Sequence, residues 1–150
     1  MHIIVTGTRQ GIGKKLAKIA LEQGHHVLGI SRGKTLMDGL SPKMIKERWH
    51  VIEGNILEMD TQEKIRSVML KWKKVDALIN NAGLLVNKPF EDLTVLDFER
   101  SFAINNIAPA LTIQNAMPFL KESKNGRVIN IGSMGGFQGS SKYPGLSAYS

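Results

Sequence analysis

Between a short apolar run and a segment of helical periodicity, Thr6 to Gly13 reads T-G-T-R-Q-G-I-G. Residues of these types, so arranged, can bind an anion. Gly7 permits a tight turn without a Cβ clash. Gly11 lets the backbone come close to a pyrophosphate, and Gly13 lets the following helix pack close to the strand. The helix that opens there offers unpaired N–H groups and the positive end of its dipole. The spacing is G-x-x-x-G-x-G rather than G-x-G-x-x-G. Taken alone, a plain glycine-rich strand-to-helix turn remains the alternative.

Further segments carry related chemistry. Ser31-Arg32 follows the second apolar run, where a carboxylate would repel a phosphate and a guanidinium can pair with it bidentately. Arg9, inside the glycine-rich segment, adds a second cation; as a bland alternative, Arg32 is only a loop charge. Asn80-Asn81-Ala82-Gly83 places two small residues where a ligand could lie against the backbone. Asn81 can hydrogen-bond neighbouring main chain, and a plain Asn/Gly turn is the competing reading. The chain has no cysteine, so disulfides and thiolate sites are excluded. His25 and His26 are adjacent and His2 and His50 isolated, so no metal site is expected.

The elements that must position these residues alternate. His2–Thr6, His26–Ile30, Trp49–Glu53, Val75–Asn80 and Arg127–Ile131 read as strands. Helical spacing follows Gly11, with Ile12, Leu16, Ile19 and Ala20 on one face, and Gly24 ends that helix. A short helix is expected over Lys43–Arg48, and another carries Ile65, Val68, Met69 and Trp72. One begins at Thr94–Arg100, and a long one spans about Asn105–Glu122, with Pro109 and Pro118 as bends or joints. Asn81–Asp92 and the stretch from Gly132 read as loops. Such alternation predicts an α/β domain with a parallel sheet covered on both faces. A single domain over 1–150 is expected.

The formal net charge is +7, but the lysines are scattered and aromatics make up only 6%. A nucleic-acid binder would interleave basic and stacking residues, so no nucleic-acid partner is expected; salt-dependent binding would test that reading. No apolar run reaches membrane-spanning length, and a cytoplasmic protein without a membrane partner is expected.

In order along nearly the whole chain, these motifs resemble the classical short-chain dehydrogenase/reductase family. Thr6, Gly7, Gly11, Ile12 and Gly13 match its T-G-x-x-x-G-x-G, and N-N-A-G is characteristic of it. The resemblance implies a Rossmann-like, doubly wound parallel sheet in three α/β/α layers, with strands one to five present and the C-terminal strands absent. It implies hydride transfer between a nicotinamide cofactor and a small-molecule carbonyl or alcohol. Arg32 after strand two resembles the NADP-preferring members, so NADP(H) is expected over NAD(H); the family's usual basic loop position falls on Gln10, one residue after Arg9. The cofactor set implied is Gly7, Arg9, Gly11, Ile12, Gly13, Ser31, Arg32, Asn55, Ile56, Asn81, Ala82 and Gly83. Asn55 stands where the family usually has Asp.

By the same resemblance Asn105, with Asn106 as competitor, aligns with the family's active-site Asn, which holds a water in a proton relay. Ser133 aligns with the catalytic Ser that hydrogen-bonds the substrate oxygen. Tyr149 aligns with the Tyr of Y-x-x-x-K, whose reference pKa near 10 needs a nearby cation to be useful at neutrality. Tyr143 is a decoy, because Ser147 stands four residues on. Phe137, Gln138 and Tyr143 could shape a substrate pocket. The Lys of that motif would fall beyond Ser150, so the chain reads as a portion of a longer enzyme, expected by the resemblance to be a homo-oligomer (dimer or tetramer) at full length and inactive as this chain alone. A non-catalytic NADP-binding module is the alternative.

Overall fold

The computed structural model describes residues 1–135. Its centre is a five-stranded, all-parallel sheet in the order β3-β2-β1-β4-β5. The strands are β1 (His2–Thr6), β2 (His26–Ser31), β3 (Trp49–Glu53), β4 (Ala77–Asn80) and β5 (Arg127–Asn130). The helices are α1 (Gly11–Glu22), α2 (Pro42–Arg48), α3 (Met59–Trp72), α4 (Val95–Phe102) and α5 (Ala108–Lys121). Strand order reverses between β1 and β4, the topological switch point at which open α/β sheets bind ligands.

Neighbouring residues of β1 and β2 feed opposite faces, as the strand period of two requires. Ile4, Leu28 and Ile30 pack with Ile65 and Met69 of α3 and with Ala116, Phe119 and Leu120 of α5. Ile3, Val5 and Val27 pack with Ala17, Ala20 and Leu21 of α1, and with Met37 and Trp49. Both faces are therefore covered, as the alternation of the elements predicts, giving the three-layer, doubly wound Rossmann-like fold that the family resemblance implies.

The differences are local. Strand β4 begins at Ala77 rather than Val75, because the Val75 N–H is drawn to the carbonyl of Phe119 at the end of α5 (3.0 Å). The long helix begins not as an α-helix but as a π turn over Ala103–Ile107, closed by a bond from the Ala108 N–H to the Ala103 carbonyl. Helix α4, this turn and α5 run on without a gap. Pro109 follows directly, and having no N–H it cannot bond the carbonyl four residues back, that of Asn105. The helical ladder therefore changes register at Asn105, and the expected joint at Pro109 takes this form. Pro118, by contrast, lies inside α5 without ending it.

Candidate cofactor cleft and active-site edge

At the C-terminal ends of β1, β2, β3 and β4 lies a cleft of about 380 Å³. Its floor is the turn between β1 and α1. Gly7 has φ +74°, and a Cβ there would stand 2.9 Å from the Ala82 Cα. A Cβ on Gly13 would collide with the Gly7 carbonyl and the Asn81 amide, so α1 can sit this close to β1 only without a side chain there. Gly11 differs: at φ +61° its Cβ would meet nothing within 4 Å. Its backbone faces open space on the cleft side, as an anion-approach position requires.

The start of α1 is also chemically open. Gln10 is its N-cap and makes no side-chain cap bond, and the first turn carries no acidic residue. The positive helix end and its unpaired N–H groups thus meet no carboxylate from the helix's own first turn. These features fit the pyrophosphate of a dinucleotide.

The floor is tied to β4 by the N-N-A-G segment. The Thr6 hydroxyl accepts from the N–H groups of Asn81 (3.0 Å) and Ala82 (2.9 Å). The Asn81 Nδ2 donates to the carbonyls of Thr6 (3.0 Å) and Gly7 (3.2 Å). Asn81 therefore locks two strand ends and the glycine turn together. Asn80, buried, donates to the Asn130 side chain at 2.9 Å, and its carbonyl accepts from the Ile131 N–H at 2.8 Å. That pairing sets the exit of β5 toward Ser133.

Of the residues expected to hold a cofactor, Gly7, Arg9, Gly11, Ser31, Arg32, Asn55, Ile56, Asn81, Ala82 and Gly83 line the cleft. Gln10, Ile30, Gly54 and Ile104 line it as well. Ile12 and Gly13 do not: Ile12 points outward, 61% exposed, and Gly13 serves helix packing. Ser31 lines the wall, yet its hydroxyl is turned away, donating to the Gly33 carbonyl at 2.6 Å. Arg9 and Arg32 are both exposed, and neither guanidinium has an ion pair among the described residues. Glu53, the register partner of Ser31 across β2 and β3, is not part of the lining.

On the far wall the Asn55 Oδ1 accepts from the Leu57 N–H at 3.2 Å. The Ile56 carbonyl accepts from Gln62 Nε2 at 2.5 Å, and Gln62 Oε1 in turn accepts from Asn115 Nδ2 at 2.6 Å. This chain braces the wall against α3 and α5. Its members were not legible in sequence, where Gln62 and Asn115 are ordinary helix polar residues.

The catalytic candidates are placed unequally. Asn105 stands on the π turn beside Gly83, its amide bonded to the main chain of Leu84, while Asn106 is exposed. Ser133 is exposed, and its hydroxyl accepts from the Gly135 N–H at 3.1 Å. It does not line the cleft. Tyr149, with Phe137, Gln138 and Tyr143, lies outside the described residues. Among the described residues no group of His, Cys, Asp or Glu could hold a metal ion, and no helix is long and apolar enough to cross a membrane.

Comparison with known proteins agrees with this geometry. The family described as short chain dehydrogenase matches residues 1–150. An oxidoreductase of Botryotinia fuckeliana, BOA17, is 30% identical over 97% of this chain and 52% of its own. The NADP-dependent 3-hydroxy acid dehydrogenase YdfG of Salmonella typhi is 29% identical over 99% of this chain and 62% of its own. Among solved structures, a short chain dehydrogenase of Leptospira borgpetersenii with bound NAD+ superimposes with a TM-score of 0.83 at 25% identity, covering 98% of this chain and 58% of that one. The chain thus spans little more than half the length of these relatives. With a match that runs from Met1 to Ser150 and a sheet and glycine turn of the corresponding build, the chain belongs to the short-chain dehydrogenase family.

Proposed function

We propose that this chain is the nucleotide-binding part of an oxidoreductase that moves hydride between NADP(H) and a carbonyl or alcohol substrate. The observation that carries the cofactor choice is the pair Arg9 and Arg32. Both line the cleft that opens at the N-terminus of α1, and both are without an ion pair among the described residues. Two unpaired guanidiniums are suited to the 2′-phosphate of NADP, which a carboxylate at this place would repel. YdfG, named as NADP-dependent, supports the choice, whereas the Leptospira relative was solved with NAD+.

In this reading the backbone of Gly7 to Gly11 and the start of α1 hold the pyrophosphate. Asn55 and Ile56 flank the adenine, and Ala82 and Gly83 let the nucleotide lie close to β4. The bound nicotinamide supplies the hydride chemistry, and the protein orients it. In the same reading Ser133 holds the substrate oxygen, Tyr149 gives or takes the proton, and Asn105 supports the proton path. A small-molecule substrate is assigned, with no nucleic acid and no membrane partner.

The test is the ratio of NADPH to NADH affinity in wild type and in Arg32→Ala. Loss of a charge-assisted contact worth about 1.5–3 kcal/mol predicts a fall in that ratio of about ten- to a hundredfold. An unchanged ratio overturns the assignment.

A further inference from the structure

Arg9 and Arg32 belong to different segments, the turn after β1 and the loop after β2, and both line one cleft. Those segments are tied together beneath it. Three buried hydroxyls lie between them. Thr8, beside Arg9, is fully buried; Thr35 is 6% exposed; Ser31, beside Arg32, is 8% exposed. The Oγ1 atoms of Thr8 and Thr35 are 3.2 Å apart, and the Thr35 Oγ1 is 3.0 Å from the Ser31 Oγ.

A hydroxyl has a single proton to give. The Ser31 proton goes to the Gly33 carbonyl at 2.6 Å. Ser31 must then accept from Thr35, and Thr35 must accept from Thr8. The protons all run one way, from the glycine turn to the loop that carries Arg32. Chains of this polarity strengthen one another in a poorly solvated interior. The main chain adds to the tie, because the N–H groups of Gly7 and Thr8 both reach the Ile30 carbonyl, at 2.8 and 3.3 Å. The Arg9 side chain also lies over Gly33, whose missing Cβ would stand 3.6 Å from the guanidinium carbon.

The geometry points to Thr35, through its bonds to Thr8 and Ser31, as a positioning residue for cofactor discrimination: it ties together the two arginine-bearing segments that line the cleft. This rests on the NADP reading above. Thr35 touches no cofactor in this scheme and acts only by fixing Arg32 against Arg9.

The probes are 2′,5′-ADP and 5′-AMP, titrated calorimetrically into the full chain; they share the adenosine and the 5′-phosphate and differ in the 2′-phosphate. Thr35→Val keeps the shape and removes the hydroxyl. Its expected effect is a loss of about fivefold in 2′,5′-ADP affinity, the worth of one hydrogen bond, with 5′-AMP within about twofold of wild type. Thr35→Ser restores the preference, which a purely steric role would not predict. Thr8→Val, at the donor end of the chain of hydroxyls, lowers the same ratio and serves if Thr35→Val does not fold. Equal losses for both ligands, or an unchanged ratio in both valine variants, overturn the proposal. A wild-type chain that binds 5′-AMP but gains nothing from the 2′-phosphate overturns the NADP reading itself, and the role of Thr35 falls with it.

Discussion

The side-chain amide of Asn105 pairs with both main-chain groups of Leu84: Nδ2 donates to the Leu84 carbonyl at 3.0 Å, and the Leu84 N–H donates to Oδ1 at 2.8 Å. One side chain thus imitates a strand neighbour and brackets the loop after β4 to the helix above it. Asn105→Ala removes both bonds, at a cost of about 2 kcal/mol. The melting temperature should fall by roughly 4–8 °C for a chain of this size. Asn106→Ala, on the exposed side, should stay within about 0.5 kcal/mol of wild type. Thermal unfolding of the two variants side by side decides the matter; equal melting would mean that the bracket contributes nothing.

Gly13 and Gly11 predict a contrast that backbone angles alone would invert. Gly11 has a positive φ but open space around it, whereas Gly13 lacks the unusual φ and is hemmed in by the Gly7 carbonyl and Asn81. Gly11→Ala should cost about 1 kcal/mol of conformational strain. Gly13→Ala should cost about 2–3 kcal/mol, because α1 must move off β1. Urea unfolding measures both, and a larger loss at Gly11 would contradict the packing described.

Acid should weaken the far end of the sheet first. His2 stacks on Trp72 at 4.7 Å between ring centres, and His50 meets the edge of the same indole at 5.7 Å. His26 lies 5.2 Å from His2. Burial first, then the neighbouring His26, lowers the pKa of both His2 and His50 below 6.5; Asp76 opposes this at His2, while the amino terminus and Lys74 at His2 and Lys71 at His50 add to it. A group whose folded pKa is lowered in this way favours the unfolded state when it takes up a proton. Stability is therefore complete above about pH 6.5 and is lost as pH falls through the folded values. The urea midpoint should be lower at about pH 5.5 than at about pH 7.5. His2→Phe, which keeps the stack and removes the proton site, should flatten that difference; an undiminished slope would exclude His2 as its source.

A second acid step is expected lower down. Asp97 is held at about 2 by the Lys88 ammonium and by the N–H and hydroxyl of Thr94, with Lys88 at 2.8 Å. Its folded pKa lies below the unfolded one, so its contribution is present above about pH 4 and disappears as pH falls toward about 2. Asp97→Asn should remove this step and leave the histidine step in place. Unfolding followed from pH 7 down to pH 2 separates the two.

Asn55→Asp should be nearly silent for folding. The Asn55 Oδ1 accepts from Leu57 N–H, and a carboxylate oxygen can accept the same bond. Chemical unfolding should place the variant within about 0.5 kcal/mol of wild type.

How much of this could be read from residue order depends on range. The glycine turn, the strand alternation and Asn81 were legible because their signals are local: a residue type at a fixed offset from a strand end. Thr8, Thr35 and Gln62 were not, since a buried hydroxyl or amide looks like any surface polar residue until the fold brings its partner near. Ser31 was legible as a cleft residue but not as one whose hydroxyl serves its own loop. The π turn was visible only as an oddly placed proline, because nothing in the sequence says whether a helix answers Pro109 by bending or by changing its ladder.

That turn makes the length of the segment matter as much as its composition. Deleting any one residue between Ala103 and Ile107 would take out the widened turn and let an ordinary helical ladder run through, with the flanking halves still in phase. Phe119 and Leu120 would stay on the sheet, but the turn that carries Asn105 to Leu84 would be lost. A single lost codon would therefore spare the core and undo the bracket on the loop after β4.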